Sequence, residues 1–268
     1  MIDFKDNKEI ELSKNFLNKG FVKFKSDNLN SLNYLRETII KNICKICKIK
    51  TPSKSQHVEF LNNFHKKIKL KNLNSIRLKL IKSLNKDKNY RLNYFLTSKN
   101  ILYELIGNEL SMQNMVNLSI QIPKDNSSLL PLHSDIWSGD SPFELVVWIP
   151  LVNCFGTKSM YILPPKYYKK VEMNFAKYSG QSSSEFFKKI KKNLHWIKIN
   201  YGEILIFNQA LPHGNVVNNE KETRWSMNCR FKSIFSPYGD KKIGEFFEPI
   251  TLRAASELGI KYNLPKVK

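Results

Sequence analysis

The chain has 268 residues, of which 41% are hydrophobic and 25% are charged, a globular composition that excludes a largely disordered protein. Lysine and arginine number 44 against 23 acidic residues, which gives a formal net charge of +21. No apolar run reaches the roughly 18 residues of a membrane-spanning helix, and the polar residues 1–6 lack the apolar stretch of a secretory signal. Because four cysteines are too few for a disulfide framework, we expect a cytoplasmic protein.

The first hundred residues carry the apolar periodicity of helices whose outer face is basic. A helix is predicted over Asn7–Lys19, and a short alternating strand over Gly20–Lys25. Asn28 or Ser31 would then cap a long amphipathic helix. The other helical patterns in this part of the chain cover three ranges: 57–68, 73–84 and 90–106.

From about residue 112 onward, strand patterns dominate. They cover seven ranges: 115–122, 143–152, 159–163, 195–200, 203–207, 214–217 and 223–235. Two inserted helices are predicted at 166–177 and 183–193. Short strands at this spacing are typical of an antiparallel barrel or sandwich. We therefore predict a single domain of the α+β class with a mainly β core. Its parts are a mainly helical N-terminal elaboration (1–110), the β core (111–240) and a C-terminal tail (241–268).

Two histidines and one aspartate form the most informative pattern in the sequence. On an extended segment, His133 and Asp135 would point to the same face, because strand side chains alternate with a period of two. If His213 joined them from another strand, the site would hold two imidazoles and one carboxylate. That set is the facial triad of non-haem Fe(II) sites, which leaves three coordination positions open.

Two arginines follow the second histidine. Arg224 comes eleven residues after His213, so a hairpin return to the next strand would bring its guanidinium back beside the metal. A buried guanidinium there could bind a carboxylate with two hydrogen bonds. Arg230 has the same parity as Arg224 on the predicted strand and should face the same side.

These motifs resemble those of the Fe(II)/2-oxoglutarate-dependent dioxygenases, and among them the phytanoyl-CoA-hydroxylase-like group. The nearest likeness is to oxygenases of bacterial sporadic carbohydrate and streptomycin-biosynthesis gene clusters. The resemblance covers roughly residues 110–240 and rests on three segments: Leu130–Leu151, Gly202–Asn215 and Glu222–Phe235. It implies a double-stranded β-helix, a jelly roll of the cupin-like kind, with an N-terminal helical layer.

By this resemblance, His133, Asp135 and His213 bind Fe(II) and form the catalytic centre, while Arg224 binds the C5 carboxylate of the co-substrate 2-oxoglutarate. Three further residues are candidates for co-substrate contacts: Gln121, Asn215 and Arg230, the last of which could instead bind an anionic substrate. The implied reaction consumes O2 and 2-oxoglutarate, releases succinate and CO2, and oxidises a small metabolite, with ascorbate as an in vitro additive. Related halogenases have a small residue in place of the carboxylate, so Asp135 favours hydroxylation or desaturation.

Other functions remain open from the residues alone. The lysines within 66–71 and 188–192 could bind nucleic acid, but only six residues are arginine and no nucleic-acid-binding motif is present. We therefore favour a solvated basic face and a small-molecule substrate, either anionic or sugar-derived. A metal-dependent cupin-like isomerase or a non-catalytic barrel is a further alternative. Cys44 and Cys47 have redox or zinc spacing but lie within a helical pattern, which favours core thiols. We expect the substrate pocket to be lined from the N-terminal helices and the insertion at 166–193.

Overall fold

A computed structural model of the chain describes residues 4–265; residues 1–3, part of the polar N-terminus considered above, lie outside this range. Its first helix, α1 (Asn7–Lys19), has the predicted bounds. The Asp6 side chain accepts a hydrogen bond from the Glu9 backbone N–H, and the Glu9 side chain accepts one from the Asp6 backbone N–H, forming a capping box. The helix ends at Gly20, whose φ of 77° is the left-handed conformation that glycine adopts without strain.

The N-terminal layer continues with five further helices, and three more lie in the second half of the chain. Their bounds are α2 (Leu29–Cys47), α3 (His57–Asn62), α4 (Leu73–Leu84), α5 (Lys88–Leu96), α6 (Lys99–Ile106), α7 (Pro165–Glu172), α8 (Ser183–Ile190) and α9 (Ala254–Lys261). The predicted helix at 90–106 is interrupted between α5 and α6, where the Thr97 carbonyl accepts a hydrogen bond from the Asp27 backbone. Within residues 4–265, no helix combines the length and apolar character needed to cross a bilayer.

The strands form two antiparallel sheets. Their bounds are β1 (Phe21–Lys25), β2 (Leu110–Gln113), β3 (Asn117–Gln121), β4 (Leu145–Pro150), β5 (Tyr161–Ile162), β6 (His195–Trp196), β7 (Glu203–Asn208), β8 (His213–Gly214), β9 (Arg224–Ser233) and β10 (Phe247–Thr251). The larger sheet has the order β1-β7-β4-β9-β2-β10, with β3 also paired to β9, and the smaller has the order β6-β5-β8. The chain thus folds as a mixed helix and antiparallel-sheet structure.

A continuous apolar core joins the N-terminal helices to the larger sheet. The predicted stripe of α2 is buried at Leu32, Leu35, Ile39 and Ile43, and α2 packs against α4 and α5. Trp225 of β9 is fully buried, and its indole N–H donates to the Leu61 carbonyl at 2.9 Å. The helical layer is therefore docked directly on the strand that also carries both predicted arginines.

Three elements fall outside the sequence predictions: β2, β10 and α9. The two strands pair with each other, and β2 also pairs with β9, so the segment predicted as a tail adds an edge strand to the larger sheet. The predicted strands at 195–200 and 214–217 are also shorter than expected, since β6 and β8 have two residues each. After β6 the chain still alternates, with Ile197 and Ile199 buried and Lys198 and Asn200 exposed, but it forms only the isolated bridge between Cys154 and Ile199.

Candidate metal and co-substrate site

The structure brings the three predicted metal ligands together. His133 and His213 exchange two backbone hydrogen bonds of 3.0 and 2.8 Å, which place their rings 4.3 Å apart between centroids. One ligand atom from each of these histidines and one from Asp135 lie within 4.8 Å of one another. The sequence prediction that residues eighty positions apart would converge on one site is met.

The extended H-x-D segment assumed in the sequence analysis is wrong for Asp135. This residue begins a 3-10 turn, Asp135–Ser138, and its backbone N–H donates to the Gln209 carbonyl at 3.1 Å. The turn, and not strand alternation, directs the carboxylate toward the imidazoles. His133 Nε2 and Asp135 Oδ1 are 3.3 Å apart.

Hydrogen bonds orient both imidazoles. Nδ1 of His133 lies 2.8 Å from the Pro131 carbonyl, and Nδ1 of His213 lies 2.8 Å from the Leu211 carbonyl. Since a carbonyl only accepts, each Nδ1 carries the proton and each Nε2 keeps its lone pair for a metal. Metal–ligand bonds of about 2.1 Å separate neighbouring ligands of an octahedral ion by about 3 Å, close to the 3.3 Å between His133 Nε2 and Asp135 Oδ1. The donor set fits a non-haem Fe(II) ion.

The electrostatics of the site favour the metal-binding protonation states. Burial, together with the neighbouring His133, lowers the pKa of His213 to about 4. Burial on its own would raise the pKa of Asp135. The nearby His133, His213 and Arg230 outweigh burial and hold the pKa of Asp135 well below its usual value. At neutral pH the site therefore offers a neutral imidazole and an ionised carboxylate, the forms that bind metals.

Arg224 faces the same cavity from the larger sheet. The predicted hairpin return is wrong, because the His213 strand β8 pairs with β5 in the smaller sheet, whereas β9 pairs with β3 and places Arg224 opposite Gln121. The connection between them crosses from one sheet to the other. Arg224 thus reaches the site by lying across the cavity from His213, not beside it.

The guanidinium of Arg224 is buried without a carboxylate partner among residues 4–265. Its terminal nitrogens donate to the Ser159 carbonyl at 3.2 Å and to Ser119 Oγ at 2.9 Å, both neutral acceptors, and its Nε has no partner within the described part of the chain. Burial lowers the pKa of Arg224 to about 10. Burying a cation without an opposite charge beside it costs folding free energy. The site therefore fits an anionic ligand such as the distal carboxylate of 2-oxoglutarate.

A single cavity of about 360 Å³ joins the metal ligands to Arg224. Its lining comes from both sheets, from the loop after the H-x-D motif and from Lys241. Among the described residues, none of the lining belongs to the N-terminal 110 residues or to the insertion at 166–193, so our expectation for the pocket walls is wrong. Phe175 and Phe186 of the insertion instead pack against Trp137, in the turn that begins at Asp135.

The other predicted contact residues have different surroundings. Gln121 Nε2 donates to the Val216 carbonyl at 2.6 Å, and Gln121 does not line the cavity. Asn215 does line it, although its Oδ1 already accepts from the Leu130 backbone at 3.0 Å. Arg230 lines the cavity and forms an ion pair of 2.9 Å with Asp135, so its guanidinium is bound to a predicted metal ligand.

Sequence reasoning missed several polar groups of the cavity. Ser226 and Asn228 lie between the two arginines on β9, and the parity that placed Arg230 on this face also applies to them. Asn117 and Ser119 line the cavity from β3, the neighbouring strand. Their positions follow from the register of β3 against β9, which the sequence does not reveal.

The four cysteines and the lysines of the two predicted basic clusters do not line this cavity. All four cysteines are free, and Cys44 is buried in α2 while Cys47 is partly buried. The lysines of 66–71 and 188–192 are exposed, and none of them lines the cavity. These observations agree with core thiols and a solvated basic face.

Comparisons with known proteins place this geometry in context. No protein-family model matches the chain, and no curated protein matches it. Solved structures, however, do match the chain. The non-haem monooxygenase ThoJ, in a nickel complex, has 13% sequence identity, covers 90% of this chain and 84% of its own, and gives a TM-score of 0.55.

Two further solved structures extend the comparison. SnoK, a non-haem alpha-ketoglutarate-dependent carbocyclase from nogalamycin biosynthesis, has 11% identity over 92% of this chain and 97% of its own, with a TM-score of 0.53. HygX from Streptomyces hygroscopicus, with nickel and 2-oxoglutarate bound, has 9% identity over 89% and 90%, with a TM-score of 0.54. At this level of identity the likeness concerns architecture, and the chain shares the fold of these non-haem enzymes.

Proposed function

We propose that this protein is an Fe(II)- and 2-oxoglutarate-dependent dioxygenase. The proposal rests on two features that line the same cavity. One is a ligand set of two histidines and one carboxylate, and the other is a buried guanidinium that has no carboxylate partner within residues 4–265. A metal site alone would also suit an isomerase. The unpaired cation of Arg224 adds a requirement for an anion, which 2-oxoglutarate meets.

Each group has a distinct task in this proposal. His133, Asp135 and His213 would hold the metal, and three protein ligands would leave it able to bind other ligands. Bound Fe(II), with O2 and 2-oxoglutarate, supplies an oxidation of the substrate that is coupled to release of succinate and CO2. Arg224 orients 2-oxoglutarate by its distal carboxylate, and Ser119, already bonded to the guanidinium, keeps that side chain in place.

We further propose a small, sugar-derived substrate and a single oxygenase domain whose two sheets form a double-stranded β-helix. The cavity supports the substrate class through its size and its neutral polar lining, which includes Asn117, Asn228 and Ser138. Amide and hydroxyl groups suit the hydroxyls of a carbohydrate, with which they exchange hydrogen bonds. Lys241 at the same cavity would tolerate an anionic substituent, although Asp140 already pairs with it.

A succinate assay tests the function directly. Purified protein with Fe(II), ascorbate, 2-oxoglutarate and O2 should release succinate slowly without substrate and faster with an accepted metabolite. His133→Ala should abolish this turnover, because it removes one of three ligands. His195→Ala is the matched control, since this histidine is exposed on β6 and lies outside the cavity, and it should retain wild-type turnover. Wild type no more active than His133→Ala across a broad metabolite screen would refute the proposal.

Nucleic-acid binding is the rival function, and one observation favours it. Between residues 38 and 86 the chain has 13 basic residues and one acidic residue, so this segment alone contributes +12 of the net charge. Phosphate contacts make binding fall steeply with salt. We expect any binding of a fluorescent DNA or RNA oligonucleotide to vanish near physiological salt. Tight binding that persists there would favour the rival.

A further inference from the structure

The side chain of Arg230 lines the cavity, and its guanidinium forms an ion pair with the metal-ligating carboxylate of Asp135. One terminal nitrogen, Nη2, lies 2.9 Å from Asp135 Oδ2, while the other carboxylate oxygen, Oδ1, lies 3.3 Å from Nε2 of His133. The two oxygens of Asp135 are thus divided between a guanidinium on one side and the imidazoles on the other. Oδ1 is therefore the oxygen on the side of the imidazoles.

A buried polar network holds Arg230 in that position. Its Nε donates to Gln209 Oε1 at 2.8 Å, and Gln209 Nε2 in turn donates to Glu144 Oε2 at 2.9 Å. Asp140 Oδ2 lies 3.6 Å from the same guanidinium nitrogen that contacts Asp135. Gln209 and Glu144 are fully buried, and Asp140 is nearly so. The planar guanidinium is therefore held at Nε by Gln209 and at Nη2 by Asp135.

We propose that Arg230 is a positioning residue that makes Asp135 bind the metal through Oδ1 alone. The inference rests on the iron site of the proposed function. By occupying Oδ2, the guanidinium prevents the carboxylate from binding through both oxygens, which would take one of the positions that 2-oxoglutarate and O2 require. Groups that orient metal ligands in this way contribute substantially to metal affinity.

Two effects of Arg230 on metal affinity oppose each other. By Coulomb's law its positive charge repels a divalent cation, whereas fixing Asp135 favours binding. A substitution that keeps the charge isolates the second effect. Lysine does so, but its single ammonium cannot span Gln209 and Asp135 with the rigid fork of a guanidinium. Arg230→Lys therefore tests orientation at constant charge.

The experiment is an anaerobic titration of the metal-free protein with Co(II), followed by its visible spectrum. Arg230→Lys should weaken Co(II) binding by at least about tenfold and alter the spectrum, because the carboxylate becomes free to bind through both oxygens. Arg91→Lys is the matched control: it makes the same chemical change at an arginine that pairs with Glu248 outside the cavity, and it should bind Co(II) as wild type does.

The outcomes separate the two proposals. If wild type binds no Co(II), the proposed function fails and this inference fails with it. If wild type binds Co(II) and Arg230→Lys matches it within twofold with an unchanged spectrum, only the inference is overturned. A crystal structure of the Mn(II)-loaded wild type gives a measurement that does not depend on the folding of a variant. It should show Asp135 bound through one oxygen with Oδ2 still on Arg230, and a carboxylate bound through both oxygens would overturn the inference.

Discussion

Replacing Arg224 by methionine should separate its role in binding from any role in folding. Methionine fills a similar space without charge, so Arg224→Met removes the guanidinium that faces the cavity. Breaking a buried, hydrogen-bonded charge pair costs about 3–5 kcal/mol. Since about 1.4 kcal/mol corresponds to a tenfold change in affinity, the variant should bind 2-oxoglutarate at least roughly 100-fold more weakly than wild type.

The same substitution should leave the ligand-free protein as stable as wild type or make it more stable. Burial lowers the pKa of Arg224 from its ordinary value to about 10. With about 1.4 kcal/mol for each pKa unit, burying this cation costs roughly 3 kcal/mol. Because the folded pKa is the lower one, the cost is present at every pH below about 10. Methionine removes this cost, while the loss of two hydrogen bonds to neutral acceptors offsets part of the gain.

Two measurements check this prediction. Calorimetric titration of 2-oxoglutarate into Ni(II)-loaded protein gives its Kd, and urea denaturation of the ligand-free protein gives the free energy of unfolding. Arg224→Lys, which keeps the charge, should fall between wild type and Arg224→Met in affinity. A Kd for Arg224→Met within threefold of wild type, or a loss of several kcal/mol in stability, would show that Arg224 is a structural residue.

Three further predictions concern stability. Trp225→Ala should lower the free energy of unfolding in urea by about 3–5 kcal/mol, because it removes the fully buried indole that docks α3 on β9; a loss below 1 kcal/mol would contradict this packing. Glu222→Gln should destabilise more than Lys158→Met, since the first leaves the fully buried Lys158 ammonium without its carboxylate, 2.6 Å away, and the second removes the buried charge itself; the reverse order in thermal melts would refute the argument. Burial raises the pKa of Cys154 to about 11 and that of Cys229 to about 12, so the folded protein retains these protons above pH 9 while the unfolded chain loses them. The free energy of unfolding should then fall from pH 9 to pH 11, less steeply in Cys154→Ala, and a pH-independent difference between variant and wild type would exclude this linkage.

Local sequence signals predicted much of the N-terminal layer and the ligand set. Asp6 and Glu9 cap the start of α1, and Gly20 ends it. Both signals act within a few residues of the helix end. His133, Asp135 and His213 were identified because their chemistry and order are distinctive, although the reason given for Asp135 was wrong. A 3-10 turn achieves the orientation that strand alternation was expected to provide.

Strand pairing, by contrast, was decided only by the folded structure. β10 and β2 lie more than 130 residues apart in the chain, and nothing near either one indicates the other. The crossing from β8 to β9 likewise placed Arg224 across the cavity from His213, because β8 pairs with β5 and β9 with β3. The face on which a strand residue lies is a local property, but its neighbour across the sheet is not.

Arg230 shows most clearly where the sequence stops being sufficient. Parity alone determined that it would share a face with Arg224, which is confirmed by the cavity that both residues line. Whether its guanidinium met a co-substrate or a metal ligand depended on Asp135, Gln209 and Asp140, which come from other segments of the chain. Backbone preferences act over a few residues, whereas the partner of a buried charge is selected by the packing of the whole core, and only the tertiary structure contains that information.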